Sequence, residues 1–180
     1  MIRRALTIAA AGVVLVVPAG CELGARPGGA DETRAGALAS IGPTTDARLV
    51  RVVDGDTMHV EVDGERVRVR LIGVDAPELA RDGQPAELLA GDATDAAADL
   101  LDDTPTLVLE RDRSDTDRFG RLLRYVWQRV DGRWRLLNAE LVRLGLADAR
   151  DYRPDTGRQR ALDDAEREAR EAGRGIWAAP

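Results

Sequence analysis

Residues 47–72, read as ARLVRVV, DGD, TMHVEV, DG, ERVRVRLI, decide the fold. The first run, 47–53, is rich in β-branched and aliphatic residues and predicts a strand, closed by a turn at Asp54-Gly55-Asp56. Residues 57–62 alternate, with Met58, Val60 and Val62 on one face. Asp63-Gly64 is a strong two-residue hairpin signal. Residues 65–72 alternate again, placing Val67, Val69 and Leu71 inward and Arg66, Arg68 and Arg70 outward. The chain therefore opens its folded part with a three-stranded meander that carries an arginine row on one exposed face.

Downstream, residues 73–84 contain Gly73, Pro77 and Gly83 and read as a loop. Residues 85–101 read as an Ala- and Leu-rich helix, with Gly91 making it start later or bend. Residues 106–111 form a fourth strand and 112–120 a charged loop. Residues 121–136 form a fifth strand that folds back at a second Asp-Gly turn, Asp131-Gly132. A short helix is expected over 138–144, capped by Asn138 and ended by Gly145. A polar helix follows over 155–172, with Leu162, Ala165, Ala169 and Ala172 on one stripe, and Gly173 stops it. Ile176 and Trp177 are expected to tuck back onto the core. This order of elements is that of an α+β domain: a closed five-stranded barrel with about three helices around it, an architecture that often binds oligonucleotides.

The amino-terminus reads as a targeting segment. Arg3 and Arg4 precede an apolar run over 5–17, and Pro18-Ala19-Gly20-Cys21 follows. Residues 1–21 therefore have a signal-peptide layout, too short for a comfortable span. Small residues before Cys21, the chain's one cysteine, match a bacterial lipobox apart from Pro18, so Cys21 is the candidate lipidation site. A cleaved signal with an incidental cysteine is the alternative, and the arginine pair partly matches twin-arginine export. Residues 22–45 read as a flexible tether and 46–180 as the folded domain. Both readings place the domain outside the cytoplasm, secreted or held at the envelope by a lipid.

One cysteine excludes an intramolecular disulfide, and a single histidine, His59, excludes mechanisms that need two. Hydrolytic chemistry must then come from carboxylates, arginines and a metal. Asp54, Asp56 and Asp75 sit in or beside tight loops, and hard oxygen ligands of this kind suit Ca2+ or Mg2+. All 26 basic residues are arginine and the formal charge is −6, yet residues 111–135 hold eight Arg against four Asp. The field is therefore patchy, basic near the carboxylate loops and acidic on the last helix and over 92–103, and nucleic-acid binding should be weak and strongly salt-dependent. His59 reads as a surface histidine, Trp127 and Trp134 as packing beside the second hairpin, and Trp177 as core.

Taken singly, each of these loops is an ordinary turn. Taken in order, Val53-Asp54-Gly55-Asp56-Thr57, then 70–78 (RLIGVDAPE), then Asp117-Arg118-Phe119-Gly120-Arg121, then 137–147 (LNAELVRLGLA) and finally Gly175-Ile176-Trp177 closely resemble the staphylococcal-type thermonuclease family. The resemblance spans roughly residues 46–177. It implies a five-stranded OB-fold barrel and hydrolysis of DNA and RNA without firm sequence preference, single strands favoured, giving 3′-phosphorylated products. It implies that Asp56, Asp75 and the Ala76 carbonyl ligate Ca2+, that Glu78 orients or deprotonates the attacking water, and that Arg70 and Arg121 hold the phosphate. Arg118, Phe119, Arg150 and Tyr152 fall on the substrate-binding positions. Three departures stand out: Ala76 replaces a frequent Thr, Phe119 replaces a Tyr and so lacks a hydroxyl, and Arg150 replaces an aromatic, although an arginine can still stack on a base or reach a phosphate. A monomer is the default. Two other readings use the same scaffold: an OB module that binds nucleic acid or protein without catalysis, and an envelope lipoprotein with a merely structural barrel. Retention of Asp56, Arg70, Asp75, Glu78 and Arg121 separates the enzyme from both.

Overall fold

The computed structural model describes residues 41–102 and 106–178. The expected signal segment, Cys21 and the tether up to residue 40 lie outside the described residues. Strand β1, Thr44–Asp54, begins ahead of the expected start at Asp46, and Ile41 already packs against the core. The added length has a partner: Thr44 and Thr45 pair with Glu110 and Leu109 of β5, Thr106–Glu110. Strands β2, Thr57–Val62, and β3, Glu65–Leu71, follow as an antiparallel meander. Their turn places Asp63 at φ 50 and Gly64 at φ 83, the left-handed pair that a two-residue hairpin of this type requires.

Strand β6, Leu122–Val130, pairs antiparallel with β5 and parallel with β3, the latter through Val69 with Leu122, Arg70 with Leu123 and Leu71 with Arg124. The hydrogen-bonded circuit β3-β2-β1-β5-β6 and back to β3 is a closed five-stranded barrel, so no long edge is left to seed aggregation. A short strand β7, Arg133–Leu136, extends β6 as the second hairpin. A separate two-residue ladder joins β4, Val74–Asp75, to β8, Asp148–Ala149, and ties the carboxylate loop to the later part of the chain. Met58, Val60, Val69, Leu71, Leu107 and Leu109 fill the interior; Val62 and Val67 stay half-buried at its end.

Three α-helices surround the barrel: α1, Ala90–Leu101; α2, Leu137–Arg143; and α3, Gln159–Glu171. Helix α1 starts five residues after the expected 85 because Leu89 takes a left-handed conformation, φ 67, which cannot extend the helix backwards. Its buried stripe is Ala90, Ala93, Ala97 and Leu101, a small-residue face that lets it lie close to β1. Helix α3 buries Leu162, Ala165 and Ala169 and leaves Ala172 exposed at its end.

Two expectations need correction here. Asn138 does not cap α2. It is fully buried, accepts from the Val126 backbone N–H at 2.9 Å and donates to the Ile72 carbonyl at 2.9 Å. It thereby supplies polar partners where β6 and the β3–β4 loop leave the barrel ladder. Trp177 is half-buried rather than core; Arg170 lies 4.0 Å over its ring, so the indole shields the α3 surface while staying open to solvent on one side. No helix among the described residues is long and apolar enough to cross a membrane.

Candidate active site

The Asp54-Gly55-Asp56 turn is pressed against the loop after β4 and against α1. A Cβ on Gly55 would stand 2.6 Å from the Ala76 side chain and 2.9 Å from that of Ala93, so only glycine fits. Close approach has an electrostatic consequence: the Asp56 side chain is only 6% exposed. Its Oδ2 accepts from the Ala76 N–H at 3.3 Å and meets Arg70 Nη2 at 2.9 Å; its Oδ1 accepts from the Thr57 hydroxyl at 3.0 Å. Burial pushes Asp56 up to about 6, against the pull of Arg70 and with a further push from the neighbouring Asp54 carboxylate.

Arg70 does not lie on the exposed face expected of it. Its side chain is 11% exposed, with Nη1 donating to the carbonyls of Leu71 at 2.7 Å and Val74 at 2.6 Å. Its Nη2 faces both Asp56 and Asp75, the latter at 3.8 Å. The two expected metal carboxylates thus converge on one guanidinium nitrogen. Among the described residues, no three His, Cys, Asp or Glu side chains form a ready-made cage. The donors brought together are instead two carboxylates beside the Ala76 backbone, a hard-oxygen set that fits a divalent cation completing its shell with water and substrate oxygens.

Arg121 approaches from the loop before β6. Its Nε is 2.6 Å from Asp117 Oδ2, and its Nη1 donates to Thr57 Oγ1 at 3.3 Å. Thr57 therefore connects Arg121 to Asp56 through one hydroxyl. Asp117 Oδ1 also accepts the backbone N–H groups of Phe119 and Arg121, each at 2.9 Å. Burial pushes Asp117 up, but these N–H donors and the guanidinium hold it below the ordinary carboxylate range. Phe119 projects into solvent, 64% exposed, between Arg118 at 4.6 Å and Arg121 at 5.6 Å from its ring centre.

Glu78 stands on the open side of the site. Its side chain is 61% exposed and 3.6 Å from Arg81, and its backbone N–H donates to Glu87 at 3.0 Å. An open cleft of about 530 Å³ lies here, lined by Asp75, Ala76, Glu78, Glu87, Leu88 and Arg150. Arg150 does not stand apart from the carboxylates: its Nε donates to Asp75 Oδ2 at 3.1 Å, and its Nη2 is 3.7 Å from Asp148. Tyr152 is half-buried against the core.

The structure thus brings Asp56, Arg70, Asp75, Ala76 and Arg121 into one cluster, with Glu78 and Arg150 on its rim. Two contributors escaped the sequence reading. Arg81 reaches both Asp54, at 3.7 Å, and Glu78; Glu87 anchors the Glu78 backbone. Both lie in the irregular stretch before α1, where no periodicity marks a side chain's direction.

Known proteins resemble this chain over most of its folded part. The chain is 35% identical over 130 residues to the thermonuclease of Staphylococcus hyicus, covering 72% of this chain and 74% of that one. It is 35% identical over 139 residues to the thermonuclease of Staphylococcus intermedius, covering 74% and 80%. It is also 35% identical over 137 residues to Protein ParB of Escherichia coli, covering 73% and 72%. The sequence model of the family described as Staphylococcal nuclease homologue matches residues 68–179. With its barrel closed as described and its carboxylates and arginines gathered at one end, the chain belongs to the staphylococcal nuclease family.

Proposed function

We propose that the protein is a Ca2+-dependent nuclease that hydrolyses phosphodiesters of DNA and RNA with little sequence preference, acting outside the cytoplasm as a secreted or lipid-anchored monomer. The observation that carries this reading is the convergence of Asp56 and Asp75 on Arg70, with Arg121 linked to the same cluster through Thr57. A binding module needs arginines for phosphate; it has no use for a desolvated aspartate set against a second carboxylate.

In this reading Asp56, Asp75 and the Ala76 carbonyl hold Ca2+, which when bound supplies charge neutralisation and polarisation at a phosphoryl oxygen. Arg70 and Arg121 present planar guanidinium forks to the non-bridging oxygens and stabilise the charge that grows as water adds to phosphorus. Glu78, open to solvent, takes up a proton from the attacking water or fixes its direction. The 5′-oxygen leaves and the 3′-phosphate stays with the upstream product. Phe119, Arg118, Arg150 and Tyr152 border the path of the bases. Cys21 is the residue that would carry the lipid.

The test is hydrolysis of single-stranded DNA by the purified chain with Ca2+, with excess chelator, and with Asp56→Ala. Metal-dependent cleavage lost in the variant supports the enzyme. A folded chain that shows no cleavage with any divalent metal turns the reading to the binding module, for which DNA affinity in chelator is then the measured property.

A further inference from the structure

The barrel register continues the arginine row beyond the site. On the outer face, Thr57 pairs with Arg70 at the site; the next rung is Arg51 with His59 and Arg68, and the rung beyond is Arg48 with Glu61 and Arg66. Along β3, Arg70, Arg68 and Arg66 therefore point to one face about 6–7 Å apart, a repeat comparable with the phosphate spacing of an extended nucleotide chain. Arg70 is drawn into the carboxylate cluster, whereas Arg51, Arg66 and Arg68 are exposed. Among the described residues none of these three guanidinium groups has a carboxylate partner, although the chain carries more acids than bases. Arg48, by contrast, is closed off by Glu61 at 2.8 Å. His59 sits between Arg51 and Arg68 with its Nδ1 buried and, among the described residues, without a hydrogen-bond partner; burial first, then Arg51, Arg66 and Arg68, hold it below its ordinary value.

We infer that this outer face of β1–β3 is a phosphate track that carries a single nucleic-acid strand away from the reacting phosphodiester, with Arg68 and Arg51 taking the next phosphate and Arg66 the one after. The inference rests on the nuclease reading for its direction but not for its chemistry. Exposed guanidinium groups with no carboxylate partner among the described residues attract an anionic strand whether or not it is cut. The Arg48–Glu61 pair ends the track, so the gain is confined to about two phosphates beyond the site.

The experiment compares the full chain with the triple variant Arg51→Ala, Arg66→Ala, Arg68→Ala on two substrates: a single-stranded DNA of about 20 nucleotides and a dinucleotide. Each lost phosphate contact should flatten the log–log salt dependence by about 0.7, so with two phosphates lost the long substrate's slope falls by about 1.4 and its KM rises about tenfold near 0.1 M salt. Its kcat, and both constants for the dinucleotide, stay unchanged. Equal KM and equal salt slope for the long substrate in the two proteins overturn the track. Should the parent cleave neither substrate, the nuclease reading fails by itself, and the anisotropy of a labelled strand of the same length in chelator decides the track. Binding weakened about tenfold in the variant supports it, and unchanged binding overturns it. Arg68→Gln alone, at the centre of the row, repeats the measurement if the triple variant does not fold, with a slope change of about 0.7 expected and none overturning.

Discussion

Arg70 Nη2 lies 2.9 Å from the buried carboxylate of Asp56 and 3.8 Å from that of Asp75, so one guanidinium nitrogen serves both expected metal ligands. Burial nevertheless outweighs the pull of Arg70 and leaves Asp56 at about 6. The sign for stability follows. The folded value lies above the unfolded one of about 3.9, so folding favours protonated Asp56, and that contribution is lost as pH rises from about 4 through about 6. In chelator, Asp56→Asn should therefore gain stability relative to the parent over that interval. Protons also compete with the metal: Ca2+ affinity should fall about tenfold per pH unit below about 6. Calorimetric titration at about pH 5, 6 and 7.5 reads this directly, and a flat affinity across the series would remove Asp56 from the ligand set.

Arg150 sets a second competition. It donates to Asp75 at 3.1 Å from beyond the short β8 strand that pairs with the Asp75 segment. Both side chains are about half exposed, so the pair is worth well under about 1 kcal/mol. Arg150→Ala should accordingly tighten Ca2+ binding by no more than about fivefold. A weaker Ca2+ affinity in that variant would show that Arg150 supports the Asp75 loop instead of competing for its carboxylate.

The sequence announced the barrel because period-2 alternation and two Asp-Gly turns leave little choice of register. Arg70 shows where that reasoning stops. Alternation places it on the outer face of β3 beside Arg66 and Arg68, and the register agrees, but alternation says nothing about depth. Tertiary closure does: β6 pairs with the end of β3 at Arg70, and the Val74 carbonyl with the Asp56 and Asp75 carboxylates closes around the guanidinium. Arg70 is covered while Arg68, one rung away, stays in water. Asn138 fails for a related reason. A polar residue ahead of an apolar run reads as a cap, whereas its carbonyl and amide are consumed by strands that are distant in sequence. The Arg150–Asp75 contact spans 75 positions and has no local signal at all.

Asn138 also carries a stability prediction. Its side chain satisfies the Val126 N–H and the Ile72 carbonyl inside the protein, and Ile72 leads directly into the loop that bears Asp75. Asn138→Ala strands both backbone groups without water, at about 2–4 kcal/mol. Urea denaturation in chelator measures it. A loss below about 1 kcal/mol would mean that water enters and replaces the amide.

Arg121→Lys separates charge from shape. The guanidinium uses Nε for Asp117 and Nη1 for Thr57, which fixes its plane before substrate arrives. An ammonium keeps the charge but cannot hold two partners and a phosphate in one plane. Turnover should fall by about 10²-fold or more with the fold intact. Near-parent turnover would reduce Arg121 to a general source of positive potential.

Glu78 is the residue whose role the geometry constrains least, and a substitution can decide it. Its carboxylate is exposed, its backbone is pinned by Glu87, and Arg81 stands beside it at 3.6 Å. None of the carboxylate–Arg70 contacts involve it, so Glu78→Gln should leave Ca2+ affinity within about twofold. A general base lost from this position costs about 10²–10⁴ in kcat, because glutamine can still orient water but cannot take its proton. If kcat drops by less than about tenfold, Glu78 orients the water and the proton leaves by another route. In that case Glu78→Ala should cost more than Glu78→Gln, since only alanine also removes the oxygen that holds the water in line.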